Sequence, residues 1–182
     1  MKPKAAFLDR DGVLNSCILR NGIPCPPSDV TEVEILPGVL EAIELLNQND
    51  YLSIVVTNQP DISRGTTSLS QVQEINDSIE RLIGVSHFYV CPHDDVDNCN
   101  CRKPKPGLID RAVHDLGIDL ERSFLVGDRW RDIEAGQSLG LPSFFIDYSY
   151  NELKPKSPFT QVFSLLEAVE IWIGAESGFS NR

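Results

Sequence analysis

The sequence predicts an α/β fold in which a mainly parallel sheet is covered by helices on both faces. Short apolar segments alternate along the chain with amphipathic segments of helical length, a pattern typical of repeated βαβ units. A chain of 182 residues is long enough for one compact core and short of the length that two domains usually need. The sequence contains no internal repeat, low-complexity segment or linker. We therefore expect a single domain over residues 1–182.

The first half of the chain alternates three predicted strands with two predicted helices. The strands lie at 4–9, 51–58 and 85–91, and the second of them is rich in β-branched residues. One helix, 37–49, begins at a proline, and the other, 68–84, ends at a glycine, both residues typical of those positions. Apolar residues at helical spacing define the expected buried faces of the two helices: Val39, Leu40, Ile43 and Leu46, then Leu69, Val72, Ile75, Ile79 and Leu82.

The second half continues the alternation with three helices and two strands. The helices are predicted at 106–117, 132–140 and 160–173, and the strands at 123–128 and 142–147. The first, second and fourth predicted strands carry polar residues at their carboxyl ends, which are Asp9, Thr57 and Asp128. Because ligands bind outside the carboxyl ends of parallel strands, we expect these three residues to meet in one crevice.

The charge and apolar content of the chain limit its partners. The formal net charge is −11 and no basic stripe is present, so nucleic acid is not an expected partner. The same charge would repel a small phosphorylated substrate unless lysine, arginine or a metal cation reverses the field locally. No run of eighteen apolar residues occurs, and Asp9 precedes any signal-peptide core, so no membrane partner is expected. We expect a cytoplasmic protein and, without a heptad stripe, a monomer.

Two aspartates one residue apart, in "FLDRDGVLN" at 7–15, concentrate negative charge where the first strand ends. Asp9 and Asp11 would repel one another unless a cation lies between them. Together with Asp128 they form a cluster of hard oxygen ligands that suits magnesium, with water and a substrate phosphate completing the coordination. The alternative is that "DRDG" is a solvated turn and that Asp128 caps the following helix.

A carboxylate next to a cation can also attack a phosphate ester. Uncatalysed hydrolysis of phosphate monoesters is among the slowest reactions that enzymes accelerate, and an aspartyl-phosphate intermediate divides it into two easier steps. The nucleophile needs a cation and a nearby lysine to offset its repulsion toward the phosphate. A second carboxylate can protonate the leaving oxygen and then activate water. The spacing of Asp9 and Asp11 supplies both carboxylates at one strand end.

These motifs resemble the four signatures of the haloacid dehalogenase-type phosphatases, in order and over most of the chain. The resemblance implies that Asp9 is the nucleophile and Asp11 the general acid/base. It also implies that Thr57 in "VVTNQ" holds the phosphoryl group and that Lys103 in "CRKPKPG" stabilises its charge. In "VGDRWRD", Asp128 corresponds to the magnesium ligand and Asp132 to a residue that supports the metal site. Val13 departs from the threonine of many members, at a position without a chemical role. The implied fold is Rossmann-like, with no separate cap domain.

A second cluster, "CPHDDVDNCNC" at 91–101, has the spacing of a zinc site. Cys91, His93, Cys99 and Cys101 can close a tetrahedral site with no open position, so a zinc ion held there would be structural. The residues alone also allow reduced cysteines in a polar loop, or a redox pair of Cys99 and Cys101. The spacing resembles that of the histidinol-phosphate and heptose-bisphosphate phosphatases, in which these positions bind zinc. The expected role of the ion is to order the loop that carries Arg102 and Lys103.

Four residues are candidates for substrate binding: Asn58, Arg64, Arg102 and Arg129. Arg102 is expected to bind a substrate phosphate, with a surface role as the alternative. Arg64 is expected to bind a second anionic group, although a solvated loop arginine is nearly as common at that position, and the role of Arg129 is similarly open. Arg10 is expected to point into solvent. The short connections leave no room for a lid domain, so loops 15–36 and 91–102 are expected to form the walls of the site. The loop at 22–29 is expected to be stiff because of its prolines.

The substrate predicted by the resemblance is a small phosphorylated sugar. The segments "TNQPDISRG" and "GDRWRDIEAG" are more similar to those of heptose-bisphosphate phosphatases than to those of histidinol-phosphate phosphatases. Histidinol phosphate or another small metabolite remains the alternative substrate. Two further alternatives are a zinc-loop binding module without catalysis and a polynucleotide 3′-phosphatase. The complete set of motifs argues against the first and the acidic charge against the second.

Overall fold

A computed structural model describes residues 2–20 and 23–179 of the chain, and the side chains as far as residue 176. Six parallel strands of the described residues form one sheet: β1 (Lys4–Leu8), β4 (Tyr51–Asn58), β5 (His87–Cys91), β6 (Phe124–Gly127), β7 (Ser143–Ile146) and β8 (Thr160–Val162). Their spatial order is β5-β4-β1-β6-β7-β8. A separate antiparallel hairpin is made of β2 (Ile18–Arg20) and β3 (Ile23–Cys25).

Five α-helices in the described part of the chain cover the two faces of the sheet. They are α1 (Val39–Gln48), α2 (Leu69–Ile83), α3 (Gly107–Leu116), α4 (Trp130–Ser138) and α5 (Leu165–Phe179). One core lies between the sheet and α1, α2 and α5, and the other lies between the sheet and α3 and α4. Side chains of β1 alternate between them, with Ala6 and Leu8 in the first core and Ala5 and Phe7 in the second. The predicted fold class is therefore confirmed.

The helix ends follow local sequence signals. The Ser68 hydroxyl accepts a hydrogen bond from the backbone N–H of Gln71, and the side-chain oxygen of Gln71 accepts one from the backbone N–H of Ser68. This capping box starts α2. Gly84 ends the same helix in the left-handed conformation, with φ +78°. Gly38 also has a positive φ, and α1 begins after it, two residues later than the predicted start.

Three parts of the prediction of helices, strands and buried helix faces were wrong. The segment predicted as one helix at 160–173 is strand β8 followed by α5. Part of the loop predicted at 22–29 is strand β3, while Gly22 lies outside the described residues. Three leucines assigned to buried helix faces are at least half exposed, because each lies at the flank of its apolar stripe: Leu40, Leu69 and Leu82.

None of the helices in the described part of the chain is long and apolar enough to span a membrane.

Candidate active site

An open cleft of about 320 Å³ lies at the carboxyl end of the sheet. Strand β1 lies between β4 and β6, so the sheet order reverses beside it, and ligands bind at such a switch point. All the residues predicted to act in catalysis or substrate binding line this cleft: Asp9, Asp11, Thr57, Asn58, Arg64, Arg102, Lys103 and Arg129. Its walls include Cys17, the hairpin residues Ile23–Cys25, and Arg102, from the two loops expected to form them.

Lys103 joins two carboxylates at the base of the cleft. Its Nζ lies 2.8 Å from Oδ1 of Asp9 and 2.5 Å from Oδ1 of Asp132, and it donates to the carbonyl of Val56 at 2.6 Å. The lysine is 2% exposed. Burial alone would lower the pKa of Lys103, but the charges of Asp132 and Asp9 outweigh that effect and raise it. The ammonium group is therefore held charged beside the predicted nucleophile.

The environment of Asp9 opposes its ionisation when no metal is bound. Burial raises the pKa of Asp9 to about 6, against the lowering effect of Lys103, and the charges of Asp132 and Asp11 add to the rise. Burial also raises the pKa of Asp128, and the charges of Asp9 and Asp132 act in the same direction. The carboxylates are thus poorly compensated by the protein alone, which is the electrostatic condition that favours a bound cation.

The carboxylates at this position fit a divalent cation. Oxygen atoms of Asp9, Asp128 and Asp132 lie within 4.8 Å of one another. Both carboxylate oxygens of Asp128 are buried without a hydrogen-bond partner in the described structure, whereas Asp132 contacts Lys103 and the backbone N–H of Arg129. Unpartnered buried carboxylate oxygens are hard ligands of the kind that magnesium prefers. The structure does not bring Asp11, the other predicted side-chain ligand, into this group.

Because Gly12 has no side chain, the carboxylate of Asp128 can occupy the space in which a Cβ would lie. Its φ is +90°, and a Cβ at this position would lie 2.1 Å from Oδ2 of Asp128. Only glycine allows the loop after β1 to approach the predicted metal ligand so closely.

Replacing Gly12 by alanine is expected to displace Asp128 and reduce kcat/KM for any phosphate ester by about 10²-fold or more. The rise in melting temperature on adding magnesium should also be lost. Gly140→Ala is the matched control, because Gly140 has a similar φ of +72° but open space around its Cβ position. Both variants carry the cost of a left-handed alanine, about 1–2 kcal/mol. Equal activity of the two variants would show that the close approach of Gly12 to Asp128 is not needed for activity.

Three side chains hold the carboxylate of Asp11 away from the group formed by Asp9, Asp128 and Asp132. Arg10 donates to both of its oxygens at 3.0–3.2 Å, Asn15 donates to Oδ1 at 3.0 Å, and Gln59 donates to Oδ2 at 2.8 Å. The prediction that Arg10 points into solvent is wrong, since its side chain is completely buried. Sequence reasoning also missed Asn15 and Gln59, both of which are buried.

The end of β4 connects Asp11 to the loop that carries Lys103. Gln59 donates to the hydroxyl of Thr57 at 2.9 Å as well as to Asp11. The side-chain amide of Asn58 donates to the carbonyl of Lys103 and accepts from its N–H, each at 3.1 Å. Asn58 therefore lines the cleft with its amide bonded to the backbone of Lys103, and it positions this lysine.

Arginines from three segments form one wall of the cleft, and carboxylates of the loop after β5 hold them. Arg64 donates to both oxygens of Asp94, at 2.7 and 2.9 Å. Asp95 accepts from Arg102 at 2.8 Å and from Arg131 at 3.0 Å. Arg131 was not singled out in the sequence. The wall presents positive charge to the cleft of an acidic protein.

Arg129 lies on another side of the cleft and is paired with Glu152. Its Nε donates to Oε1 of Glu152 at 2.6 Å, and its Nη2 donates to Oε2. The guanidinium group also lies over the ring of Tyr150, 5.6 Å from the centroid. Nothing in the sequence indicated this partner, because Glu152 lies in an irregular segment after β7.

The structure brings the four predicted zinc ligands together. Cys91, His93, Cys99 and Cys101 offer atoms within 4.8 Å of one another. The three sulfurs are 3.3–3.7 Å apart and Nδ1 of His93 lies 3.3 Å from Cys101 and 3.7 Å from Cys91. Zinc–sulfur bonds of about 2.3 Å give a tetrahedron with edges of about 3.8 Å, so the donor set fits zinc. These separations are too long for disulfides.

Comparison with known proteins agrees with this geometry. Residues 100–156 match the model of the HAD-hydrolase-like family. The D-glycero-beta-D-manno-heptose-1,7-bisphosphate 7-phosphatase of Haemophilus ducreyi is 35% identical over 153 residues, 78% of this chain and 81% of that protein. The protein of the same name from Helicobacter pylori is 32% identical over 93% of this chain and 97% of its own. A crystal structure of D,D-heptose 1,7-bisphosphate phosphatase from B. bronchiseptica, complexed with magnesium and phosphate, superposes with a TM-score of 0.82. It is 26% identical and covers 94% of this chain and 99% of its own.

A parallel sheet with a lysine and buried aspartates at its switch point, together with these relatives, defines the class of the protein as a phosphoric monoester hydrolase. The chain belongs to the haloacid dehalogenase-like phosphatases, in the group that contains the heptose-bisphosphate phosphatases.

Proposed function

We propose that this chain is a magnesium-dependent phosphatase that removes the 7-phosphate of D-glycero-D-manno-heptose 1,7-bisphosphate through an aspartyl-phosphate. The observation that carries the proposal is the contact of Lys103 with Asp9 at the base of a cleft whose rim bears four arginines. One buried cation beside a carboxylate suits the phosphoryl group that reacts. The arginines of the rim suit a second phosphate of the same substrate.

The chemistry follows from the positions of four side chains. An oxygen of Asp9 attacks phosphorus, and the bond from phosphorus to the sugar oxygen breaks as Asp11 gives that oxygen a proton. Lys103 and the hydroxyl of Thr57 hold the phosphoryl oxygens during the transfer. A water molecule then attacks phosphorus, Asp11 takes its proton, and the bond from phosphorus to Asp9 breaks. Phosphate leaves, and both carboxylates return to their starting state.

Asp9 and Asp128 would hold magnesium, with Asp132 beside them, since these are the carboxylates that the structure groups together. When bound, magnesium supplies positive charge to the phosphoryl oxygens and removes the repulsion between phosphate and carboxylates. Cys91, His93, Cys99 and Cys101 would hold a structural zinc ion. Its effect would be to fix Asp94 and Asp95, which lie between these ligands and bind the arginine wall. We also propose that the chain is a single-domain monomer.

The substrate is tested by measuring phosphate release from heptose 1,7-bisphosphate and from histidinol phosphate, with and without magnesium. We expect faster turnover of the bisphosphate and release of the 7-phosphate, identified by NMR of the remaining monophosphate. Arg64→Met should raise KM for the bisphosphate about tenfold or more and leave histidinol phosphate nearly unchanged. Preference for histidinol phosphate would overturn the proposed substrate. Release independent of magnesium would overturn the proposed metal dependence.

A further inference from the structure

Arg10 has no solvent exposure and is among the largest fully buried side chains of the described structure. Its guanidinium group contacts two side chains. Nε and Nη2 donate to the carboxylate of Asp11, and Nη1 donates to Oδ1 of Asn76 at 2.9 Å. Asn76 lies in α2 and is itself buried. The arginine therefore bridges the predicted acid/base and the helix that packs behind it.

The burial of this arginine calls for a chemical reason. A buried charge is stable only when it is paired and hydrogen-bonded, and a neutral side chain would fill the same space without that requirement. Arginine has a planar fork of donors that can fix both oxygens of a carboxylate in one plane. In this protein the fork is fixed on one side by Asn76, so the orientation of the carboxylate on the other side follows from the fold.

The other two donors complete the orientation of Asp11. Asn15 donates to Oδ1 of Asp11, and Gln59 donates to Oδ2 while also donating to the hydroxyl of Thr57. The predicted proton donor is thus held relative to the hydroxyl predicted to bind the phosphoryl group. It is also kept out of the group formed by Asp9, Asp128 and Asp132.

We propose that Arg10 is a positioning residue that holds the carboxylate of Asp11 for proton transfer in both steps of the reaction, an inference that rests on the proposed function. In the first step the held carboxyl gives its proton to the leaving sugar oxygen as the bond from that oxygen to phosphorus breaks. In the second step the same carboxylate takes a proton from the attacking water. Arg10 takes no part in either bond change and acts through the orientation of Asp11.

The test uses two leaving groups that differ in their need for a proton. A p-nitrophenyl ester leaves as a stable anion, so attack by Asp9 on it requires little help from Asp11, whereas a sugar ester leaves as an alkoxide that must be protonated. For Arg10→Met we expect kcat for the sugar phosphate to fall about 10²-fold. With p-nitrophenyl phosphate, rapid mixing should show a burst of p-nitrophenolate at the wild-type rate, then slow turnover. The phosphorylated enzyme trapped by acid should accumulate on Asp9.

Two further variants keep the test valid if Arg10→Met folds poorly. Asn76→Leu leaves Arg10 in place but removes its second anchor, so kcat for the sugar phosphate should fall by about threefold to tenfold while the burst of p-nitrophenolate keeps the wild-type rate. Arg10→Lys retains charge without the fork and should fall between Arg10→Met and wild type. The control is Arg81→Met, which removes an exposed arginine of α2, the helix that carries Asn76. This variant should match wild type.

Equal losses of burst and steady-state rates in the folded variants would overturn the proposal and assign Arg10 a purely structural role. The aryl ester also separates this proposal from the proposed substrate. If wild type hydrolyses p-nitrophenyl phosphate but not the heptose bisphosphate, the substrate is wrong, while the burst in Arg10→Met still supports or refutes the positioning role.

Discussion

Replacing Asp9 by asparagine is expected to abolish phosphate release and, at the same time, to stabilise the metal-free protein at neutral pH. The loss of activity follows from the proposed covalent step, because an amide oxygen is a poor nucleophile and leaves no carboxylate to carry the phosphoryl group. We expect kcat to fall by about 10⁴-fold or more. Stopped reactions with a labelled phosphate ester should contain no phosphorylated enzyme.

The gain in stability follows from the raised pKa of Asp9. Burial is the largest cause of its rise from 3.8 to about 6. Between about pH 4 and pH 6 the folded chain then binds this proton more tightly than the unfolded chain does, so the free energy of unfolding falls as the pH rises through that window. Above it the ionised carboxylate costs the folded state on the order of 1–3 kcal/mol. Asparagine carries no charge and avoids that cost.

The measurement is the melting temperature of both proteins in magnesium-free buffer with zinc retained, at several pH values. Asp9→Asn should melt higher than wild type at neutral pH, and the difference should shrink toward pH 4. Magnesium should raise the melting temperature of wild type more than that of the variant. Asp50→Asn, at an exposed turn far from the cleft, is the control and should behave like wild type in both assays. Phosphate release by Asp9→Asn at more than about one hundredth of the wild-type rate would refute Asp9 as the nucleophile.

Three of the predicted residues that converge in the cleft, Asp9, Thr57 and Asp128, were visible in the sequence because they lie at the ends of predicted strands. A parallel sheet places the carboxyl ends of its strands at one edge, so Asp9 and Asp128 could be placed together from strand positions alone. The zinc cluster was equally visible, because its four ligands lie within eleven residues and the loop between them needs no distant partner.

The contacts that hold these residues in place could not be predicted, because they join distant parts of the chain. Arg10 is buried by a partner 66 residues away in α2, and arginines are mostly exposed, so solvent was the expected environment. Gln59 follows a predicted site residue, yet nothing in its local sequence indicates that it bonds Asp11 across 48 positions. Such contacts depend on how helices and strands pack and not on local periodicity.

The missed strand β8 is a different kind of error, because the sequence did contain the signal. Val162, Leu165 and Val169 are all buried, and their spacing is compatible with one helical face. However, Ser164 and Glu167 form a Ser-x-x-Glu pattern, and Ser164 accepts a hydrogen bond from the N–H of Glu167. This pattern placed the start of the helix at residue 165 and left the preceding segment free to pair with β7.

Replacing Lys103 by methionine is expected to lower kcat by about 10²–10³-fold and to destabilise the protein strongly when magnesium is absent. The ammonium group lies 2.8 Å from Asp9 and 2.5 Å from Asp132 in a site that water hardly reaches. Methionine fills similar space but leaves those carboxylates, and Asp128 beside them, without this cation. Removing one partner of a buried ion pair typically costs about 3–5 kcal/mol.

The pH dependence of the stability that the charge of Lys103 contributes distinguishes this effect from a loss of packing. The pKa of Lys103 is raised in the folded chain, so the stability it adds is fully present below the pKa of an unfolded lysine, near 10.4, and is lost only as the pH rises beyond it. At neutral pH, Lys103 therefore makes its full contribution to the free energy of unfolding of the wild-type protein. Lys103→Met should regain part of its stability as the pH falls toward 4, where Asp9 becomes protonated.

Magnesium should separate the catalytic role of Lys103 from its structural role. Without the ammonium group the carboxylates attract a divalent cation more strongly, so added magnesium should raise the melting temperature of Lys103→Met by more than that of wild type. Activity should nevertheless stay low, because no ammonium group then offsets the charge of the phosphoryl oxygens. Lys154→Met, which removes a half-exposed pair with Asp147, is the control and should cost less than about 1 kcal/mol without changing kcat. Full activity of Lys103→Met once it is saturated with magnesium would show that the lysine serves only to stabilise the fold.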